Sequence, residues 1–275
     1  MKLSTSTSVY VNFPVDEAVR RVARAGFDGI DIWGGRPHVY RQDFDAQQLA
    51  DLRRLLESMG LRVPSFMPAF FRYPYNLSSP NEIVRQDSID YMRVSIDNAA
   101  ALGAELVLIV PGRSLHGQSK QDALARLIKS VREVCTYARR YPLRLAIEAV
   151  NQYVSDLINS AAAACQVIDQ VDYERLGIVL DTGHINLGEE SMEAALSLAG
   201  DRLYQVHIND NNGRHQQNRM PGEGTFDFER FLRLLGQHGY NGYLTAELGW
   251  EYTLDPDPAV QQIARVLQDL IAARA

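Results

Sequence analysis

Four polar side chains close apolar, β-branched runs in this chain: Glu148 in LRLAIEAVN, Asp181 in LGIVLDTGH, His207 in LYQVHIND and Glu247 in YLTAELGW. A carboxylate ending a buried strand must be desolvated, which costs several kcal/mol unless it is paired or ligated. One such residue alone is explained by a nearby Arg or Lys, or by a solvated strand end. Four in succession supply three carboxylates and one imidazole, the mixed oxygen and nitrogen set that suits a divalent cation. The cation also offsets the repulsion among the carboxylates. Mostly hard ligands with one histidine favour Mn²⁺, ahead of Mg²⁺, Co²⁺ or Zn²⁺.

These residues need elements that bring them to one place. The chain alternates short β-branched or apolar runs with longer segments carrying apolar residues at i, i+3, i+4 and i+7. The spacing predicts eight strands, over residues 2–8, 29–33, 61–67, 105–111, 143–149, 177–181, 203–209 and 242–248. Helices are expected over 16–25, 45–59, 81–102, 121–140, 159–171, 191–199, 228–238 and 258–273. Gly26, Gly60, Gly103 and Gly239 stand where left-handed residues end helices. Eight βα units in about 250 residues suit an α/β fold of the (β/α)8 TIM-barrel type. One domain over residues 1–275 is the expected organisation, since no linker or low-complexity tract divides the chain. In such a barrel, catalytic groups come from the C-terminal strand ends, where Glu148, Asp181, His207 and Glu247 fall on the fifth to eighth strands. No GxGxxG follows a strand and no Walker A sequence occurs, so nucleotide cofactors are not expected.

Composition narrows the partners. The 275 residues are 46% hydrophobic and 23% charged, with formal charge −6, an ordinary globular balance without a basic face for nucleic acid. No apolar run approaches the roughly 18 residues of a membrane span. The opening MKLSTSTSVYVNF lacks an apolar signal core, so export is not expected. Cys135 and Cys165 are too few for a disulfide framework, and a reducing, cytoplasmic setting fits.

At these motifs the chain resembles the xylose-isomerase-like barrels of the sugar isomerase and epimerase superfamily. The resemblance is carried by IEAVN at Glu148, LDTGH from Asp181 to His184, HIND followed by RMPGEG, and TAELGW, and it runs nearly end to end. Within the group, FDGIDIWGGRPHVY (27–40) and YPYN (73–76) look most like the fructoselysine 3-epimerases, then the ketose 3-epimerases of tagatose and psicose type. The resemblance implies one divalent metal on Glu148, Asp181, His207 and Glu247, with His184 and Arg219 gripping substrate oxygens. It extends to a homo-oligomer, since family members are often dimers or tetramers. Two departures stand out: Ala149 replaces the usual proline, and Val154 replaces a glutamate that faces the substrate. The second bears on which sugar is taken.

Epimerisation beside a carbonyl removes a weakly acidic C–H proton and returns it on the other face, through an enediolate. It requires a cation for the charge and a carboxylate on each side, roles that fall to Glu148 and Glu247. By resemblance, a 3-epimerase acting on a ketose or ketosamine-type sugar ranks above an aldose-ketose isomerase or an inosose-type dehydratase. An endonuclease IV-like repair enzyme would need three metals and a basic groove. A silent sugar-binding barrel would not need opposed glutamates. Trp33, His38, Phe66, Phe70, Phe71, Tyr73 and Tyr75 follow the second and third strands and supply apolar faces for a sugar. Of these, Trp33, His38 and Tyr73 are the expected substrate contacts, while core packing is the main expectation for Phe66.

Overall fold

The computed structural model describes residues 1–70 and 74–272. Its strands are β1 (Lys2–Ser6), β2 (Gly29–Trp33), β3 (Ser65–Met67), β4 (Leu106–Ile109), β5 (Arg144–Ala149), β6 (Leu176–Asp181), β7 (Leu203–Ile208) and β8 (Tyr243–Ala246). They pair in parallel and in chain order, and β8 closes on β1. Outside them run α1 (Val15–Arg24), α2 (Ala46–Ser58), α3 (Glu82–Leu102), α4 (Lys120–Ala138), α5 (Ala161–Val171), α6 (Thr182–Leu187), α7 (Met192–Ala199), α8 (Phe228–Gln237) and α9 (Pro256–Ala272). The fold is a (β/α)8 barrel.

Parallel strands covered on both faces read as continuous apolar runs, and β4, Leu-Val-Leu-Ile, is buried throughout. The helices bury one stripe. In α1 it is Val15, Ala18, Val19 and Val22, the i, i+3, i+4, i+7 set that faces a core. Local chemistry fixes helix ends: Asp45 accepts from the Gln48 backbone N–H while Gln48 reaches back to the Asp45 N–H, a reciprocal cap that starts α2. Gly103 ends α3 at φ 74°, a left-handed turn that a side chain would strain.

Three elements differ from the sequence reading. β1 stops at Ser6, whose hydroxyl caps a 3₁₀ turn, Thr7–Tyr10. β3 contracts to three residues because Pro64 has no N–H to give a ladder. The short α6, directly after Asp181, was not expected; six residues carry too little periodicity to register.

Inside the barrel, a buried Asp31 on β2 accepts hydrogen bonds from Ser4 of β1 (2.6 Å), Ser65 of β3 (2.7 Å) and Gln205 of β7 (2.5 Å). Burial raises its carboxyl above the ordinary range, and these donors work against that rise. The network ties four strands below the layer that holds His207. Among the described residues, no helix is long and apolar enough to cross a membrane.

Candidate metal centre

The C-terminal strand ends divide into two halves. β5 to β8 deliver Glu148, Asp181 and His207 from within strands and Glu247 from the residue after β8. β2 to β4 deliver Trp33, Met67 and Leu108, and Val110 follows β4. In the parallel register Asp181 stands beside His207, and His207 beside Thr245, so the strand ladder itself sets this layer of polar side chains.

One donor atom from each of Glu148, Asp181, His207 and Glu247 lies within 4.8 Å of the others. His207 Nδ1 is 3.1 Å from Glu148 Oε1 and 3.2 Å from Glu247 Oε2. The imidazole is fully buried, Glu148 is 6% exposed and Asp181 2%, while the Glu247 side chain opens to the cavity. Burial alone would lower the His207 pKa, but the two glutamates override it and hold the ring well above its usual 6.5. Burial raises the Asp181 carboxyl to about 6; Glu247 and Glu148 push the same way, and His184 and His207 oppose them. Burial would raise Glu247 too, yet its bond to His207 holds it below the ordinary value.

Three carboxylates around one imidazole leave the buried cluster short of positive charge, and His207 Nε2 has no protein partner while Nδ1 turns to the acids. A divalent cation fits this donor set: hard oxygens, one borderline nitrogen, and a charge deficit to offset. Neighbouring groups orient these side chains. Asn209 Nδ2 donates to Asp181 Oδ2 over 2.6 Å, and the His184 backbone N–H donates to Asp181 Oδ1 over 2.8 Å. Gly183 makes room for the first contact, since a Cβ there would lie 2.0 Å from Asn209 Oδ1.

Above the cluster is a cavity of about 750 Å³, the size range of small-molecule sites. Trp33, Met67, Phe70, Leu108, Val110, Val150 and Val154 make an apolar wall, and Gln216, Gln217 and Asn218 a polar one. Glu148, Glu247 and His184 lie between. Asn151 Nδ2 donates to His184 Nδ1 (2.8 Å) and to Gln216 Oε1 (3.0 Å), which leaves the His184 proton on Nε2. Trp33 and His184, expected as substrate contacts, both line this cavity.

One expected contact stands elsewhere. His38 is 1% exposed, its Nδ1 on the Thr7 hydroxyl (3.0 Å) and its Nε2 on the Phe13 carbonyl (3.1 Å). It is absent from the cavity wall and packs edge-on against Trp33 from behind; burial pushes its pKa down. Both ring nitrogens are spent on protein, so His38 supports Trp33 instead of touching a ligand. Arg219 is held by its backbone, which pairs both ways with Asp210 (2.8 and 2.9 Å), while the three residues before it line the cavity. Tyr73 and Phe71 lie outside the described residues. Tyr75 is buried in an aromatic stack, and Phe66 in the core.

Sequence reasoning missed Asn151, Asn209 and Gln216. Asn209 had a signal: it follows His207 by two, and residues two apart share a strand face. Asp210, also missed, organises the next loop, accepting from the backbone N–H groups of Gly222 (3.0 Å) and Gly224 (2.9 Å) in RMPGEG.

With this geometry the chain can be placed. Residues 19–270 match the model of the xylose isomerase-like TIM barrel family, and the chain belongs to that family. Among its relatives is a fructoselysine 3-epimerase of Shigella flexneri, 28% identical over 256 residues, 93% of each chain. A D-psicose 3-epimerase of Ruminiclostridium cellulolyticum is 26% identical over 239 residues, 83% of this chain and 76% of the relative. The structure of D-psicose 3-epimerase with D-tagatose from Clostridium cellulolyticum H10 is similar in fold, with a TM-score of 0.83 at 21% identity over 98% of this chain and 99% of that one.

Proposed function

We propose that this protein is a sugar 3-epimerase that takes a ketose or ketosamine-type sugar and holds one divalent cation, with Mn²⁺ favoured, on Glu148, Asp181, His207 and Glu247. The observation that carries the reading is the placement of Glu148 and Glu247 about one imidazole nitrogen, at 3.1 and 3.2 Å, from strands separated by two others. When bound, the cation supplies Lewis-acid stabilisation of the negative charge that develops on the substrate's oxygens.

The protein's own groups do the rest. One glutamate takes the proton from C3 of the sugar, and the other returns a proton to the opposite face; the handedness of the substrate decides which acts first. Glu247, held below its ordinary pKa by His207, is ionised at neutral pH and ready to accept. His184, with its proton on Nε2, offers a donor to a sugar oxygen, and Asn151 fixes its ring. Trp33 supplies an apolar face for the sugar carbons. The relatives named above act as 3-epimerases on sugars, which supports the same chemistry here. Val154 places a methyl surface on the cavity wall, which favours substrates that need no hydrogen bond at that point.

Incubation of the Mn²⁺-loaded protein in deuterated water with a panel of ketoses and ketosamines tests this. Deuterium should enter C3 and the C3 epimer should accumulate by NMR. Label at the carbon on the other side of the carbonyl, with an aldose formed, would replace the reading with an aldose-ketose isomerase, and loss of water from the sugar with a dehydratase. Exchange with no member of the panel would remove the epimerase.

A further inference from the structure

Tyr91, on α3, is fully buried and lies behind the cavity wall, where it touches none of the reacting region. Its hydroxyl is used twice. It donates to the Gly34 carbonyl over 2.7 Å and accepts from the Ala69 backbone N–H over 2.7 Å. Gly34 follows β2, and Ala69 follows β3, so one side-chain oxygen on a helix joins the two loops that build the apolar half of the cavity.

Each bonded residue is next to one that matters for the cavity. Gly35, after Gly34, carries the Trp33 ring so closely that a Cβ on Gly35 would lie 2.2 Å from that ring. Phe70, after Ala69, lines the cavity, and its ring lies at 6° to that of Tyr91 with centroids 5.9 Å apart. Tyr75 stacks on Tyr91 at 4.2 Å, and the Tyr75 hydroxyl meets those of Tyr40 and Arg41's guanidinium at 2.5 Å. The stack is thus anchored on one side and presents Phe70 on the other.

We infer that Tyr91 is a positioning residue for substrate binding: its hydroxyl sets where Trp33 and Phe70 stand, and so how the sugar end remote from the metal ligands is gripped. The inference rests on the epimerase reading for its kinetic arm only. Tyr91 is set apart from the metal ligands, which come from β5 to β8 and the residue after β8, so it should act on binding and leave proton transfer alone.

Tyr91→Phe keeps the ring stack and removes both hydrogen bonds. The chain holds two tryptophans, so a Trp250→Phe background leaves Trp33 as the sole indole reporter. Adding Tyr91→Phe to it should shift the Trp33 emission maximum and lower its anisotropy, while Mn²⁺ affinity stays within twofold. In the otherwise unaltered protein, Tyr91→Phe should raise KM at least fivefold and change kcat less than twofold. Unchanged Trp33 emission, with only a lower Tm, would overturn the inference and leave Tyr91 a core tyrosine. A loss of kcat together with Mn²⁺ affinity would overturn it as well, by placing the effect at the metal ligands. Should no sugar turn over, the epimerase reading fails, and the fluorescence arm still decides the role of Tyr91.

Discussion

Asn209 donates to Asp181 Oδ2 over 2.6 Å across the β6–β7 boundary, two residues beyond His207 on the same strand direction. That bond fixes one carboxylate oxygen of a proposed ligand, while the backbone of His184 fixes the other. Outer contacts of this kind typically change metal affinity 10–100-fold. Asn209→Ala should therefore weaken Mn²⁺ binding by about tenfold or more, read by calorimetric titration. Gly183→Ala should do the same by pushing Asn209 away, since its Cβ would fall 2.0 Å from Asn209 Oδ1. Affinity unchanged in both variants would mean that Asp181 needs no such support.

Glu148→Gln and Glu247→Gln each retain size and shape but lose the ability to accept a proton. Each should lower turnover by about 10²-fold or more, with the far-ultraviolet circular dichroism of the parent. A variant that keeps most of its rate would take that residue out of the proton path.

The proton count of metal binding should depend on pH. In the metal-free protein, Asp181 is raised from 3.8 to about 6 by burial and by its acidic neighbours, and His207 is held well above 6.5 by the two glutamates. Below about 6 Asp181 carries a proton that a cation must displace, and above it Asp181 is already ionised. Calorimetry in buffers of different ionisation heat should find release falling by about one proton between pH 5 and pH 7.5. Affinity should rise over the same interval. Release that stays constant from pH 5 to 7.5 would contradict the raised Asp181.

His38→Ala should cost stability more than catalysis. It deletes two hydrogen bonds and leaves the Phe13 carbonyl without its imidazole partner, while Thr7 Oγ1 keeps the bond from the Trp33 backbone N–H; a buried group left unsatisfied costs about 1–3 kcal/mol. Tm should drop by several degrees while kcat stays within a few-fold. An unaltered Tm with a collapsed kcat would return His38 to the substrate.

The clustering of Glu148, Asp181, His207 and Glu247 was legible in the sequence because a charged or imidazole side chain inside an apolar run has few other reasons to be there, and because the strand count put four such runs in succession. The barrel was legible from the alternation of periods. What sequence does not carry is partnership over distance. His38 and Thr7 are 31 residues apart, and no local pattern says that one spends itself on the other. Asn151 and Asn209 read as ordinary polar residues at strand ends, where capping explains them equally well. The strand-like pairing of the Arg219 and Asp210 backbones is likewise a product of the loop's fold. Pro64 could have shortened β3 on its own account.

A single cation should be shared by Glu148, Asp181, His207 and Glu247, the side chains gathered at the ends of the last four strands. Chelator-treated protein titrated with Mn²⁺ and followed by electron paramagnetic resonance should bind one ion per chain, and Asp181→Ala or His207→Ala should each abolish that binding. Uptake of one ion by either variant with the affinity of the parent, or no uptake by the parent at all, would contradict it.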